Sequence, residues 1–183
     1  MSADVDWVLD QLGSVVDSVA TDYSITNQDG TTSDVVIKRV DRDDAQVYEG
    51  SQSVDMTTPI TERTGELQMG CFIGATQAAG AEEPIGTEYD LDIEHVVGLR
   101  VEGLHESQWG HVDPAGEDGV PFDELKHRIR MALYDGREYP SAGRSNVSFT
   151  HLQLTNPAPQ SDDWQHYFRW DVDVVFDGFE DLS

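Results

Sequence analysis

Histidines and carboxylates are the residues of this sequence that could bind a metal ion or transfer protons. There are six histidines: His95, His105, His111, His127, His151 and His166. Transition-metal sites usually show a tight ligand spacing such as His-Glu-x-x-His, which does not occur here. His105 and His111 are six residues apart in a segment of loop composition. We therefore expect neither a metal nor another cofactor.

Other residue patterns that could support catalysis are equally weak. Cys71, the one cysteine, lies in the apolar run Met69–Ile73, which favours a buried and unreactive thiol. Asp171 and Asp173 would share one strand face, but 36 acidic residues make such pairs common by chance. The run His151–Thr155 has a single His-x-x-x-Thr instead of the paired His-x-Thr of two-histidine phosphoesterases. No serine-nucleophile or phosphate-loop motif occurs, so we expect that this protein is not an enzyme.

Large apolar side chains in segments of loop composition are candidates for a subunit or partner interface. They are Met56, Ile60, Trp109 and Trp164. Exposure of an aromatic ring in a loop is unfavourable unless the ring is buried against a partner or against other parts of the same chain. For the two tryptophans the sequence leaves both alternatives open.

The charge of the chain excludes several classes of partner. Its 183 residues include 36 Asp and Glu against 11 Lys and Arg, for a net charge of -25. Binding to nucleic acid or to anionic lipid needs a local surplus of cations, so we expect neither. No run of 18 apolar residues and no export signal are present. Acids spread along the whole chain, with Lys38 and Lys126 as the only lysines, are typical of proteins from salt-rich cells.

Hydrophobic periodicity predicts one α+β domain over residues 1–183. We expect a mixed or antiparallel sheet with two helices packed on one face, plus long loop insertions. The predicted helices span residues 4–20 and 121–134. Predicted strands span residues 35–40, 45–48, 67–74, 91–104, 146–155 and 167–176, with a bulge or bend near residues 96–97. The long loops are residues 49–66 and 75–89.

This order of elements resembles the tail-terminator, or tail-completion, proteins of long-tailed viruses. The resemblance rests on the helix Val5–Val19, the strand Val96–Leu104, the helix Phe122–Tyr134 and the strand His166–Val174. It covers most of the chain but includes no diagnostic motif. The insertions 49–66 and 75–89 are longer than the family usually shows. Together with the charge, it points to a virus or provirus of a halophilic archaeon.

The resemblance implies a structural virion protein, assembled in the host cytoplasm, that caps the head-proximal end of the tail tube. Such proteins form homohexameric rings and contact the tail-tube protein and a neck or connector protein. DNA would pass through the ring without specific binding. Two alternatives stay open: another head-tail joining or tail-tube protein, and a small haloarchaeal enzyme or ligand-binding domain. The second alternative requires two or more of His95, His105, His111 and His166 to converge.

Overall fold

The computed structural model describes residues 3–85, 90–136, 146–159 and 165–183. Its helices are α1 Ala3–Gln11, α2 Gly13–Asp22, α3 Thr64–Leu67 and α4 Phe122–Asp135, with 3-10 turns at Ile60–Glu62 and Glu106–Gln108. Its strands are β1 Ser24–Thr26, β2 Thr32–Asp34, β3 Ile37–Asp41, β4 Gln46–Val47, β5 Cys71–Pro84, β6 Asp90–Leu104, β7 Val147–Pro159 and β8 Tyr167–Asp181. The α+β prediction is confirmed.

Six strands form the main sheet, in the order β4-β3-β5-β6-β8-β7. Strands β3 and β5 are parallel, and every other neighbouring pair is antiparallel, so the sheet is mixed. Strands β3 and β4 form one hairpin of this sheet, and strands β7 and β8 form another. Strands β1 and β2 form a separate small hairpin.

Helices α1, α2 and α4 cover one face of the main sheet. Their apolar stripes, including Val8, Leu12 and Ile129, pack on alternate strand residues such as Ile73 and Leu99. The predicted first helix is divided in two, since α1 ends at Gln11 and α2 begins at Gly13. The apolar spacing runs on across that break, and for this reason the sequence predicted one helix.

A smaller cluster covers part of the opposite face of the sheet. Phe72 of β5 and Leu104 of β6 pack there against Met56, Ile60 and Leu67. The predicted loop 49–66 therefore has its own structure, with a 3-10 turn and the start of α3. This Ser/Thr-rich segment therefore contributes buried side chains to the hydrophobic core on the second face of the sheet.

The prediction of a second long loop, at residues 75–89, is wrong over most of that range. Residues 75–84 continue β5, whose side chains are exposed from Gln77 onwards. Pairing with β6 imposes the extended conformation on a Gly/Ala/Glu-rich segment of low β-propensity. An irregularity between Ala78 and Ala81 faces His95, beside the predicted bulge but on the partner strand. Residues 86–89 lie outside the described part of the chain.

Candidate assembly surfaces

Two of the predicted interface residues are interior to the subunit. Met56 and Ile60 are each 2% exposed, within the cluster on the second face of the sheet. Gly74 of β5 leaves room for Met56, since a Cβ there would overlap the sulfur atom. The side chains of Met56 and Ile60 therefore stabilise the fold and present no surface to a neighbour.

A buried carboxylate organises the arginines on the same face. Glu102 of β6 is fully buried and accepts hydrogen bonds from Arg63 and from Arg169 of β8. Arg63 also donates to Glu66 at 2.8 Å, and its guanidinium lies over the ring of Phe72. A buried charge is tolerated only when it is paired in this way. This cluster fixes the segment before β5 onto the sheet.

A second arginine pair lies nearer to solvent. The Nε and Nη2 atoms of Arg100 donate to the two carboxylate oxygens of Asp171 at 2.8 and 3.2 Å. Arg100 Nη1 also donates to the carbonyl oxygen of Met56. Both acids of the strand pair Asp171 and Asp173 therefore have partners: Asp171 is bound to Arg100, and Asp173 accepts from Asn156 at 3.0 Å.

Trp109 remains a candidate interface residue because its side chain is 47% exposed. It ends the 3-10 turn Glu106–Gln108 in a left-handed conformation, with φ of 62°. Val36 and Met69 are also exposed near the same end of the sheet. The side-chain amide of Gln68 donates a hydrogen bond to the backbone carbonyl oxygen of Gln108, which brings the segments of Met69 and Trp109 together. We call Val36, Met69 and Trp109 the base patch.

The fourth predicted interface residue, Trp164, lies outside the described residues. Within the described chain, sequence reasoning missed Val36 and Met69, which it assigned to strands. Their positions in the sequence could have indicated that they are exposed. Val36 directly precedes β3 and Met69 lies two residues before β5, where the alternation of a strand no longer determines which side chains are buried.

The sheet presents two long edges to which no described strand is paired, besides the two-residue edge strand β4, which is bridged to Ser53. One is the outer edge of β7, at the end of the strand order. The other is the outer half of β5, because β3 pairs with β5 only from Cys71 to Ala75. Near the start of the second edge, Asp43 accepts hydrogen bonds from Thr76 and from the Gln77 amide. Unpaired strand edges are sites at which another chain can add.

The far end of the sheet combines acidic and apolar residues. Register places Pro84 of β5 opposite Leu91 of β6, which in turn lies opposite Glu180 of β8. Ile85, Phe179 and Leu182 are exposed there among acidic side chains. We call residues 81–85 the acidic arm. Its five side chains are all exposed.

A cleft of about 500 Å³ separates α4 from strands β7 and β8. One wall carries side chains of α4, including Lys126, His127 and Arg130, and the other wall is formed by residues such as Pro157 and Trp170. The Tyr134 hydroxyl accepts a hydrogen bond from the Leu154 amide at 3.1 Å and so ties α4 to β7. We call this the basic cleft.

Two of the histidines named for the enzyme alternative do lie together. Ser107 Oγ is 2.9 Å from His105 Nδ1 and 3.3 Å from His166 Nδ1. The Ser107 amide also donates to His105 Nδ1, so that this nitrogen caps the 3-10 turn. Elsewhere, His95 pairs with Asp4 at 2.9 Å. Among the described residues, no three His, Cys, Asp or Glu side chains are arranged to hold a metal ion.

His111 and Cys71 are interior groups. His111 Nδ1 accepts from the Val36 amide and Nε2 donates to the Gln68 carbonyl, which fixes a neutral ring. Burial lowers the pKa of His111. Burial also raises the pKa of the Cys71 thiol to about 12, so the predicted inert thiol agrees with its environment.

Comparison with known proteins gives no family assignment. No protein-family model matches the sequence, and no curated protein is detectably similar to it. Within the described residues, no helix has both the length and the apolar character needed to cross a bilayer.

Proposed function

We propose that this protein is a tail terminator of a virus of halophilic archaea, a structural protein that caps the tail tube as a homohexameric ring. The observation that carries the proposal is the pair of sheet edges, on β5 and on β7, to which no described strand is paired. A subunit with two different open edges suits repeated head-to-tail contacts, and such contacts close into a ring when the rotation permits.

The distribution of exposed apolar residues supports the same assignment. The base patch lies at one end of the long strands, while Ile85, Phe179 and Leu182 lie at the other. A ring between the tail tube and the neck needs separate surfaces for its two axial partners. The open sheet with helices on one face also differs from the barrel-like core expected of a tail-tube protein.

The acidic charge predicts that assembly depends on salt. A net charge of -25 on each subunit opposes ring formation in dilute buffer. At about 1 M salt the Debye length is roughly 3 Å, and repulsion between subunits is screened. We expect six-chain particles in concentrated salt and smaller species after dilution.

The test combines light scattering with electron microscopy of tail tubes mixed with the purified protein. We expect the mass of six chains in concentrated salt and a disc bound at one end of each tube. Binding along the tube wall, or no binding by a protein that stays monomeric, would contradict the proposal. A ring that persists unchanged in dilute buffer would contradict the salt dependence alone.

The cluster of His105, Ser107 and His166 favours one second candidate, a ligand-binding or hydrolytic domain. Its histidine rings are 6.0 Å apart and the serine hydroxyl lies between their Nδ1 atoms. Titration of the histidine NMR signals with Zn²⁺ and with ester substrates tests this candidate. Specific shifts at both rings, lost in Ser107→Ala and His166→Gln, would favour it over the ring cap.

A further inference from the structure

The basic cleft has a charge opposite to that of the chain as a whole. Lys126, His127 and Arg130 line it on successive turns of α4. Asp123 also lines the cleft and is paired with Lys126 at 2.8 Å, while the side chains of His127 and Arg130 have no hydrogen-bond or ion-pair partner among the described residues. On a chain of net charge -25, the guanidinium of Arg130, which is unpaired within the described chain, favours a carboxylate-bearing occupant beside the His127 ring.

The interior of the cleft is apolar as well as basic. Leu154, Trp170 and Val172 contribute to its lining, and Trp170 is almost fully buried. An aromatic and aliphatic surface beside cations fits an apolar side chain that is flanked by carboxylates. The cleft therefore defines the occupant's chemistry: an acidic segment with one exposed aliphatic residue.

The acidic arm has this composition. Glu82 and Glu83 precede Ile85, whose side chain is 46% exposed. The Ile85 amide donates to the carbonyl oxygen of Asp90 at 3.1 Å, so the arm is held in an extended shape before any partner binds. A preformed arm loses less conformational freedom on docking than a flexible segment would.

The arm of a subunit cannot fill the cleft of the same subunit. Val172 of the cleft pairs with Leu99 of β6, whereas the arm tip at Pro84 pairs with Leu91. These positions on β6 are about eight residues, or roughly 26 Å, apart along an extended strand. The arm points away from its own cleft and is available only to another molecule.

We propose that the acidic arm of one subunit docks into the basic cleft of the next subunit. Ile85 would contact the apolar lining, and Glu82 and Glu83 would lie against Arg130 and the ring of His127. The contact joins different surfaces of the two copies, so each subunit both gives an arm and receives one. This inference rests on the proposed ring assembly and identifies one contact within it.

Disulfide trapping tests the contact directly. The double variant Arg130→Cys/Glu83→Cys places one thiol in the cleft and one on the arm of every chain. Oxidation with copper phenanthroline in concentrated salt should yield a ladder of linked chains on a non-reducing gel. Buried Cys71 does not contribute, because its thiol pKa is about 12 and its side chain is inaccessible.

Matched controls separate a specific contact from random collision. Each single variant should give at most a trace of dimer, and Arg130→Cys/Glu62→Cys pairs the cleft with an exposed residue elsewhere. The arm pair should link at least tenfold faster than this control. A ladder no faster than the control would overturn the inference, as would abundant dimer from Arg130→Cys alone, which indicates a symmetric contact.

Charge exchange gives a second and independent measurement. Arg130→Glu should lower the fraction of assembled chains about tenfold, and adding Glu82→Arg and Glu83→Arg should restore it. Unchanged assembly of Arg130→Glu would also overturn the inference. Rings that form without arm-to-cleft links would leave the proposed function standing, whereas the absence of any ring would count against both.

Discussion

Glu102 and Arg169 lie directly opposite each other on β6 and β8, and one carboxylate oxygen of Glu102 accepts both Nε and Nη2 of Arg169, at 2.9 and 2.6 Å. The other carboxylate oxygen accepts from Arg63. A single fully buried acid thus compensates two arginines from separate parts of the chain.

Glu102→Gln should therefore be strongly destabilising. The amide keeps the shape of the side chain but removes the buried carboxylate that accepts hydrogen bonds from Arg63 and Arg169. Breaking a buried pair in this way costs about 3–5 kcal/mol of unfolding free energy. Urea denaturation in concentrated salt measures the loss. Asp171→Asn is the control: this partly exposed partner of Arg100 should cost about 1 kcal/mol or less. Equal losses would contradict this view of the cluster.

Met56 and Trp109 should give opposite results when each is changed to alanine. Met56→Ala leaves a cavity on the second face of the sheet, with an expected cost of about 2–5 kcal/mol. Trp109→Ala removes an exposed ring, and its effect on stability should stay within about 0.5 kcal/mol. We expect Trp109→Ala to impair binding to tail tubes, measured by pelleting with tubes. Normal binding would remove the base patch from the proposed interface.

The free energy of unfolding should decrease as the pH is lowered, because His111 is buried in the folded state. Because burial lowers the pKa of this group in the folded state, the unfolded chain takes up the proton first. Stability is then complete above the unfolded pKa of about 6.5 and is lost as pH falls from there towards the lower folded pKa. His111→Gln should flatten the profile of unfolding free energy against pH in this window. A wild-type profile that is flat there would refute the prediction.

Gly110→Ala should disturb the turn that carries Trp109. A Cβ at this position would overlap the backbone carbonyl of Leu104, which cannot rotate away as a side chain could. We expect a loss of about 1–3 kcal/mol, measured by thermal unfolding. Gly65→Ala is the matched control, since a Cβ added there would meet no other atom within 4 Å. Its effect should be neutral or stabilising, by up to about 1 kcal/mol.

The fold was predictable where one surface of an element is buried. On α4 the spacing of Phe122, Leu125, Ile129 and Leu133 predicted both the helix and its buried face, because side-chain burial follows the helical period. The outer half of β5 was not predictable in this way. Its side chains are exposed on both faces, so backbone pairing with β6 alone makes it a strand.

The candidate surfaces were less predictable, since each depends on residues distant in sequence. Composition indicated that Met56 and Ile60 were exposed, but the apolar second face of the sheet requires cover and they supply it. The basic cleft joins Arg130 to Pro157 and Trp170, and only tertiary packing brings those residues together. The pairing of His105 with His166 across Ser107 has the same origin.

The pairing of β6 with β8 determines when the sheet can form during synthesis. Asp90–Leu104 pairs without a break with Tyr167–Asp181, and the paired residues are roughly 60 to 90 positions apart in the chain. Until residues 167–181 have left the ribosome, β6 has β5 on one side and an open edge on the other. Contacts this distant in sequence form slowly, and exposed edges on incomplete sheets promote aggregation. The pairing at the centre of the sheet is therefore the last to form. The nascent chain is most prone to aggregation just before β8 emerges.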